Sequence, residues 1–457
     1  MEYEEYMVSL TEQIHDKRAK QLVAREIKNH IEEQAEMYEA DGMEHAKALK
    51  EAVRQMGNPV ETGAALNQIH KPKMPWVMLG IIVFLMISSI IMQAVVFAEG
   101  QSSKWNLNWG SLLPSTIVYN LAGFAMIMLL LYVDYNFIAK YAYKIYAAYL
   151  VGMITWLLVV NMNIWSSPSI TTYYGLQMLF PVVFAGIVYR NRNRGCRGIV
   201  ICLTMALVEF VWHVIGWEWL GDTFYYSYYP ALAESILIML LVLCLAIWKG
   251  IFGKERRKPV IFLTAIVLVL AVSGVVFMKN AGGMGTYILR RFRNIFVKED
   301  SAYLNLLLQE GIARADWFGG GVLVGNEPES LNYSTLLLNG VFTYFGKVAG
   351  VAVIAAFIVF IGLALKMSLK QSNRIGFLLG TVCTMSILVR FVAYVAINLG
   401  CAMWWTTLVP FFSYGKVGAM MNGIYIGLIL CVYRNSRILH EEYIAQKRLP
   451  RIRVTIE

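Results

Sequence analysis

The chain has 457 residues, of which 58% are hydrophobic and only 15% are charged. An ordinary soluble protein carries about 25% charged residues. The composition therefore excludes a soluble globular protein and predicts an all-α polytopic membrane protein. The formal net charge of +10 is uneven, because residues 1–73 hold 10 Lys and Arg against 14 Asp and Glu. The basic excess lies between the hydrophobic segments, which indicates membrane orientation and anionic lipid rather than nucleic acid.

Residues 1–73 are predicted to form a small cytoplasmic helical domain. Its first clear helix carries apolar residues at helical spacing, namely Leu22, Val23, Ile27, Ile31 and Ala35. A second helix is expected from Met43 to Met56, and Pro59 is suited to open a third. The stretch Met56-Gly57-Asn58-Pro59-Val60-Glu61-Thr62-Gly63 resembles the "permease prefix" domain that precedes various bacterial membrane proteins. That resemblance implies an accessory module that binds an unknown cytoplasmic partner.

From Pro75 onward the chain consists mainly of hydrophobic segments, and a membrane span needs about 20 apolar residues. We predict about ten spans, at 75–98, 113–133, 142–162, 170–190, 198–218, 229–250, 259–278, 336–365, 375–399 and 414–433. They form a membrane domain of residues 74–437. Lys and Arg concentrate in alternate loops and in the basic tail 438–457. The positive-inside rule therefore places both termini in the cytoplasm.

The longest polar interruption, residues 279–345, then lies outside the cell after the seventh span. Arg290, Arg291 and Arg293 are unusual on that side under the positive-inside rule. Their guanidinium groups are suited to bind the phosphates of a lipid-linked substrate. The alternative is an amphipathic helix that lies on the membrane surface.

Three ionisable residues lie well inside predicted spans. Glu209 and His213 are four residues apart on one helix face, and Arg390 is in the ninth span. Ionisable residues at this depth are functional candidates by default. The alternative is polar packing inside the helix bundle, where a buried Arg needs a carboxylate or a cavity.

Cysteine usage predicts neither a disulfide nor a metal site. The six cysteines form no CxxC pair, and most lie in apolar runs as small core residues do. They are Cys196, Cys202, Cys244, Cys383, Cys401 and Cys431.

In order and spacing, these segments resemble the FtsW/RodA/SpoVE (SEDS) family, which polymerises glycan strands from lipid II outside the cell membrane. That family has ten spans, a large outer loop between spans seven and eight, and a PF-[IF]-SYGG-S turn before the last span. Here the turn reads Pro410-Phe411-Phe412-Ser413-Tyr414-Gly415-Lys416. The Gly-rich run 311–321 is similar to the family's AIGSGGLFGKG, and Tyr303 matches a preceding Tyr. The resemblance implies substrate-binding roles for Tyr303, Ser413, Tyr414, Gly415 and Lys416.

The sequence departs from the family at the position that matters for catalysis. The family's catalytic Asp falls on Thr335, counting back from Gly346, and a threonine cannot act as a carboxylate base. Glycosyl transfer needs a general base, and Glu329 is the candidate replacement because it matches a Glu of the family. The second Gly of SYGG is replaced by Lys416.

Three functions follow as expectations. The first is a SEDS-like protein of bacterial cell-wall biogenesis, linked to cell division or shape, that binds a lipid-linked glycan precursor such as lipid II but is catalytically degenerate. The second is an active lipid II glycosyltransferase. The third is a transporter of the precursor, with Glu209, His213 and Arg390 along its path. The resemblance implies the bacterial plasma membrane and a penicillin-binding protein as partner. No cofactor is predicted, although the resemblance leaves room for a divalent cation.

Overall fold

The protein, seen here as a computed structural model, is built from helices and turns. The structure describes residues 2–100, 109–161, 170–220, 225–253, 258–261, 263–264, 267, 303–319, 335–402 and 407–436. No strand occurs among these residues, so the predicted all-α fold is confirmed. The chain divides into two compact units, one built on the first 75 residues and one on the apolar helices that follow.

The first unit contains four helices. They are α1 (Tyr3–Glu12), α2 (Lys17–Ala40), α3 (His45–Gln55) and α4 (Pro59–His70). Their shared core includes Tyr6 of α1. It also includes Val23 and Ile31 of α2, two of the apolar residues that the periodicity of the sequence predicts. Asn58 caps α4 by accepting a hydrogen bond from the Val60 N–H at 3.0 Å, with proline at the first helical position. Burial raises the pKa of the Tyr6 phenol above its ordinary value.

In the second unit, twelve further helices have bounds that the structure describes, and residues 258–261, 263–264 and 267 are also helical. The twelve helices are α5 (Trp76–Gly100), α6 (Trp109–Leu131), α7 (Asn136–Lys140), α8 (Ala142–Asn161), α9 (Ile170–Arg190), α10 (Gly195–Leu220), α11 (Tyr225–Trp248), α12 (Tyr303–Arg314), α13 (Leu337–Phe345), α14 (Lys347–Leu369), α15 (Arg374–Asn398) and α16 (Lys416–Arg434). Apart from α7 and α12, each of these helices overlaps a predicted span, and α13 and α14 both overlap the eighth. The predicted seventh span, 259–278, lies largely outside the described residues.

Five helices in the described part of the chain are long and apolar enough to cross a membrane. The spans are Trp76–Val95, Leu113–Leu131, Lys347–Leu369, Arg374–Asn398 and Lys416–Arg434. Of these five helices, α15 is the most enclosed, because 78% of its apolar 18-residue stretch is buried inside the protein. The corresponding share for the span in α6 is 22%. Polar groups on α15 are therefore inside the bundle, where each needs a partner.

The predicted eighth span is divided into two helices. Gly346 has a φ of +95° and separates the short helix α13 from the membrane helix α14. A Cβ at this position would lie 2.7 Å from the Trp317 carbonyl oxygen. Only glycine suits both the left-handed backbone and the close approach, so the chain turns here before it crosses the membrane.

Candidate functional site

The candidate site is the region where the start of α13 meets the end of α15. Helix α13 begins inside the protein, so its first N–H groups need partners other than water. Asn398, the last residue of α15, supplies one of them, because its Oδ1 accepts the Asn339 N–H at 2.9 Å. The Asn398 side-chain amide donates to the Thr335 carbonyl at 3.0 Å. In return, the Asn339 amide donates to the Asn398 carbonyl at 2.9 Å. We call Asn339 and Asn398 the asparagine clamp.

Tyr394, one helical turn before Asn398, extends this network to the turn before α16. Its hydroxyl accepts the Leu338 N–H at 3.1 Å and donates to the Phe412 carbonyl at 3.4 Å. One fully buried tyrosine thus contacts both the start of α13 and the predicted Pro410–Lys416 turn. Two segments that are distant in the sequence are joined by hydrogen bonds at a single side chain.

The turn itself is held by its own side chains and by α5. Ser413 Oγ accepts the Val409 N–H at 2.7 Å and donates to the Thr407 carbonyl at 3.2 Å. Phe411 has a φ of +64°, which is strained for an aromatic residue. Ser89 Oγ and Gln93 Nε2 both donate to the Phe411 carbonyl, at 2.7 and 3.1 Å. These contacts compensate the strained backbone.

The predicted site residues of the turn differ in how far their side chains are exposed. Ser413 is buried and bonds within the turn, whereas the Lys416 side chain is exposed at the start of α16. Tyr414 is partly buried, with its ring 5.8 Å from the ring of Tyr119. Gly415 has a φ of +132°. Of these four residues, Lys416 is the most accessible to a ligand.

Thr335 is fully buried, with 0% of its surface exposed. Its main chain is held by Asn398, and the neighbouring Leu336 packs with Leu308 and Ile397. The side chain of Thr335, which the sequence resemblance aligns with the family's Asp, is thus enclosed by protein. A carboxylate at this position would lose its water and raise the energy of the folded state.

The described part of the Gly-rich run stabilises the junction between α13 and α14. The carbonyls of Asp316 and Trp317 accept the N–H groups of Lys347 and Val348, at 2.9 and 3.1 Å. These are two of the first N–H groups of α14, which lack partners within the helix. Trp317 is 69% exposed and Phe318, the next residue, is 80% exposed. The run therefore presents two aromatic side chains at the entrance to a membrane helix.

Arg390 forms an ion pair with Glu234, which the sequence did not indicate as its partner. Its Nε lies 3.4 Å from Glu234 Oε2, and both side chains are nearly buried. One guanidinium nitrogen also donates to the Tyr425 hydroxyl at 3.2 Å, and that hydroxyl donates to the Met178 carbonyl. This network joins α9, α11, α15 and α16. It satisfies the buried charge, as packing inside a bundle requires.

Glu209 is also buried, and it accepts a hydrogen bond from the hydroxyl of Tyr149 on α8. The side chain of His213 lies outside the part that the structure describes, as does that of Tyr303 at the start of α12. Arg290, Arg291, Arg293 and Glu329 lie outside the described residues. No group of three or more metal-ligating side chains occurs among the residues that the structure describes.

The sequence interpretation missed the asparagine clamp, Tyr394 and Glu234. A signal for the clamp was present, since Asn398 is a polar residue at the end of an apolar run. Its partner Asn339 could not be identified, because 59 residues separate the two in the chain. Glu234 lies near the end of its segment, where a charged residue is usually solvated.

Solved structures of other membrane proteins are similar to this protein over most of its length. One is a chain from a peptidoglycan synthase complex that coordinates polymerization and crosslinking, and it aligns with 79% of this chain and 98% of its own. The identity is 15% and the TM-score 0.58. A single-substitution variant of the rod shape determining protein RodA from Thermus thermophilus gives 13% identity, the same coverages and a TM-score of 0.50. No family model and no curated protein sequence matches the chain.

The fold and the buried polar networks define a polytopic all-α membrane protein. At these identities the alignments establish a shared fold, and that fold is the one of the RodA (SEDS) membrane proteins. The resemblance that the sequence motifs predicted is therefore confirmed at the level of the fold.

Proposed function

We propose that this protein acts in bacterial peptidoglycan synthesis as a SEDS-like membrane protein that binds a lipid-linked glycan precursor and has lost the usual catalytic carboxylate. The observation that carries the proposal is the enclosed threonine at position 335, set in a RodA-like fold. The fold supports the precursor as ligand, because the similar chain belongs to a complex that carries out polymerization in peptidoglycan synthesis. The threonine supports the loss of catalysis, since it offers no general base.

Orientation and partner belong to the same proposal. The distribution of Lys and Arg in the loops supports a plasma-membrane protein with both termini in the cytoplasm. The peptidoglycan synthase complex couples polymerization to crosslinking, which supports a crosslinking enzyme of the penicillin-binding type as partner. Arg290, Arg291 and Arg293 are the proposed contacts for the precursor's phosphates, with Lys416 as a further cation.

The test measures binding and polymerisation of labelled lipid II by the purified full-length protein, with the peptidoglycan synthase complex as positive control. We expect saturable binding without glycan product. Lys416→Gln should weaken binding, because it removes a cation that can donate charge-assisted hydrogen bonds to a phosphate. Glycan from the native protein, lost in Glu329→Ala, would instead establish an active polymerase with a substitute base. Transport of lipid II across vesicles without polymerisation would favour the transporter.

Thr335→Asp tests the assignment of the missing carboxylate. Because the site is buried, we expect this variant to unfold at a lower temperature than Thr335→Ser and to form no glycan. Burying a polar group without a compensating hydrogen bond costs about 1–3 kcal/mol in proteins, and a charge costs more. Glycan formed by Thr335→Asp would contradict this expectation and would show an intact catalytic scaffold that lacks one group.

A further inference from the structure

Two lysines converge on one tyrosine ring at the connection between α6 and α8. Lys140 Nζ lies 4.9 Å and Lys144 Nζ 5.7 Å from the centre of the Tyr141 ring. Both lysines are exposed, and the tyrosine is 40% exposed. A ring face attracts a cation, but two ammonium groups at one ring also repel each other. The arrangement therefore concentrates positive charge beside an aromatic surface.

A third cation joins this cluster through a buried asparagine. Asn191 is fully buried, and its Oδ1 accepts hydrogen bonds from the Tyr143 hydroxyl and from an Arg194 guanidinium nitrogen, both at 3.1 Å. Tyr143 precedes Lys144 in the chain, so the shared acceptor holds Arg194 beside the same helix start. Asn191 is itself oriented by a 2.9 Å hydrogen bond to the Ile187 carbonyl. We call Lys140, Tyr141, Lys144 and Arg194 the basic cluster.

The positive charge of the basic cluster is not neutralised within the described part of the chain. None of its three cations makes an ion pair with a described carboxylate. The acidic residue nearest in sequence, Asp134, accepts the Asn136 N–H at 2.9 Å and so stabilises the turn before α7. An anion bound at the cluster would relieve the repulsion and gain charge-assisted hydrogen bonds.

The surroundings of the cluster are those of a membrane interface. The candidate span in α6 ends at Leu131, and the exposed aromatics Tyr132 and Phe137 follow it. Amphipathic aromatic rings at this position lie at the level of the lipid headgroups. Exposed apolar side chains continue into the bilayer region on both flanking helices, at Leu129 on α6 and Val151 on α8. An anion with two acyl chains fits this surface better than a soluble one.

We propose that the basic cluster binds the headgroup phosphate of an anionic phospholipid, with the acyl chains against α6 and α8. Lys140, Lys144 and Arg194 supply the positive charge, and the Tyr141 ring fixes the two ammonium groups beside the phosphate. The site concerns the lipid around the protein and does not depend on the proposed role in peptidoglycan synthesis.

The chain contains a matched control for this site. Lys366 and Lys370 are also four residues apart, also exposed, and also at the end of a membrane helix. In the described structure neither lies over an aromatic ring or in an ion pair. If substitution of the two lysine pairs changes lipid retention by different amounts, the cause is therefore the arrangement of the basic cluster and not surface charge in general.

The experiment compares lipid retention by native mass spectrometry of the full chain, with phosphatidylglycerol and phosphatidylcholine as probes. Retention of phosphatidylglycerol should exceed that of phosphatidylcholine in the native protein and in Lys366→Gln/Lys370→Gln. In Lys140→Gln/Lys144→Gln we expect retention about tenfold weaker than in Lys366→Gln/Lys370→Gln, because only the basic cluster is arranged to donate charge-assisted hydrogen bonds to a phosphate. Tyr141→Leu should lose part of the preference although its charge is unchanged.

Three results would overturn the proposal. Equal losses in the two lysine double variants would mean that only general surface charge attracts the lipid. An unchanged preference in Lys140→Gln/Lys144→Gln would exclude this cluster as the site. Protection of the protein by inorganic phosphate to the same extent as by phosphatidylglycerol, measured by thermal unfolding, would identify a soluble anion as the ligand.

Discussion

Arg390 and Glu234 form a buried ion pair between two membrane helices, 3.4 Å apart. The sequence indicated that a buried Arg at position 390 needs a carboxylate, but several acidic residues could have supplied it. Tyr425 lies beside the guanidinium group and completes its hydrogen bonding. At the scale of the residue, the buried Arg390 charge is thus satisfied by one carboxylate and one phenol hydroxyl.

Removing one partner of this ion pair should destabilise the protein more than replacing both partners with apolar residues. Arg390→Met alone leaves Glu234 as an uncompensated buried acid, and we expect a loss of about 3–5 kcal/mol in the free energy of unfolding. The double variant Arg390→Met/Glu234→Leu should recover most of that loss. Denaturant unfolding of the purified protein in detergent measures both. A double variant no more stable than Arg390→Met alone would show that the two side chains are not coupled as the distance implies.

At the scale of the element, the start of α13 is stabilised by side chains from α15. Asn398→Leu removes the acceptor of the Asn339 N–H and the donor to the Thr335 carbonyl. A buried group without a partner costs about 1–3 kcal/mol, and each 1.4 kcal/mol is a factor of ten. We expect amide hydrogen exchange in residues 337–345 to accelerate about tenfold or more, with α14 unchanged as an internal reference. Equal acceleration in both helices would indicate global destabilisation instead.

Close packing between α6 and α16 depends on glycine. A Cβ at Gly423 would lie 2.6 Å from the Gly123 carbonyl oxygen, whereas a Cβ at Gly362 on α14 would meet nothing within 4 Å. Gly423→Ala should therefore lower the stability by about 1–3 kcal/mol through overpacking. Gly362→Ala should leave it unchanged or raise it slightly, because alanine favours a helix by about 0.5–1 kcal/mol. Thermal unfolding of both variants compares them directly. Equal effects would disprove the close contact.

At the scale of the whole molecule, the proposed orientation is testable with native cysteines. Cys401 is exposed just after α15, and Cys196 is partly exposed at the start of α10. If both termini are cytoplasmic, a membrane-impermeant maleimide should label a variant that retains only Cys401 in intact cells. A variant that retains only Cys196 should react after permeabilisation. The reverse pattern would invert the topology.

Much of the architecture follows from the sequence. Long apolar runs must form helices in a bilayer because a lipid-exposed backbone has no other source of hydrogen bonds. The break before α14 could also be anticipated, since the predicted segment 336–365 is longer than one membrane crossing needs. The turn at 410–416 and the Gly-rich run were recognisable by their order and spacing. These features are local, so nearby residues determine them.

Only the tertiary structure decided which polar residues meet and which are accessible. It paired Arg390 with Glu234, connected Thr335 to Asn398, and placed Tyr394 between α13 and the turn. It also enclosed Thr335, which the sequence placed at a catalytic position. Burial and pairing depend on side chains from helices that are distant in the chain, and hydrophobic periodicity carries no information about those partners. The sequence alone determined the helices and their order, while helix packing determined the chemistry between them.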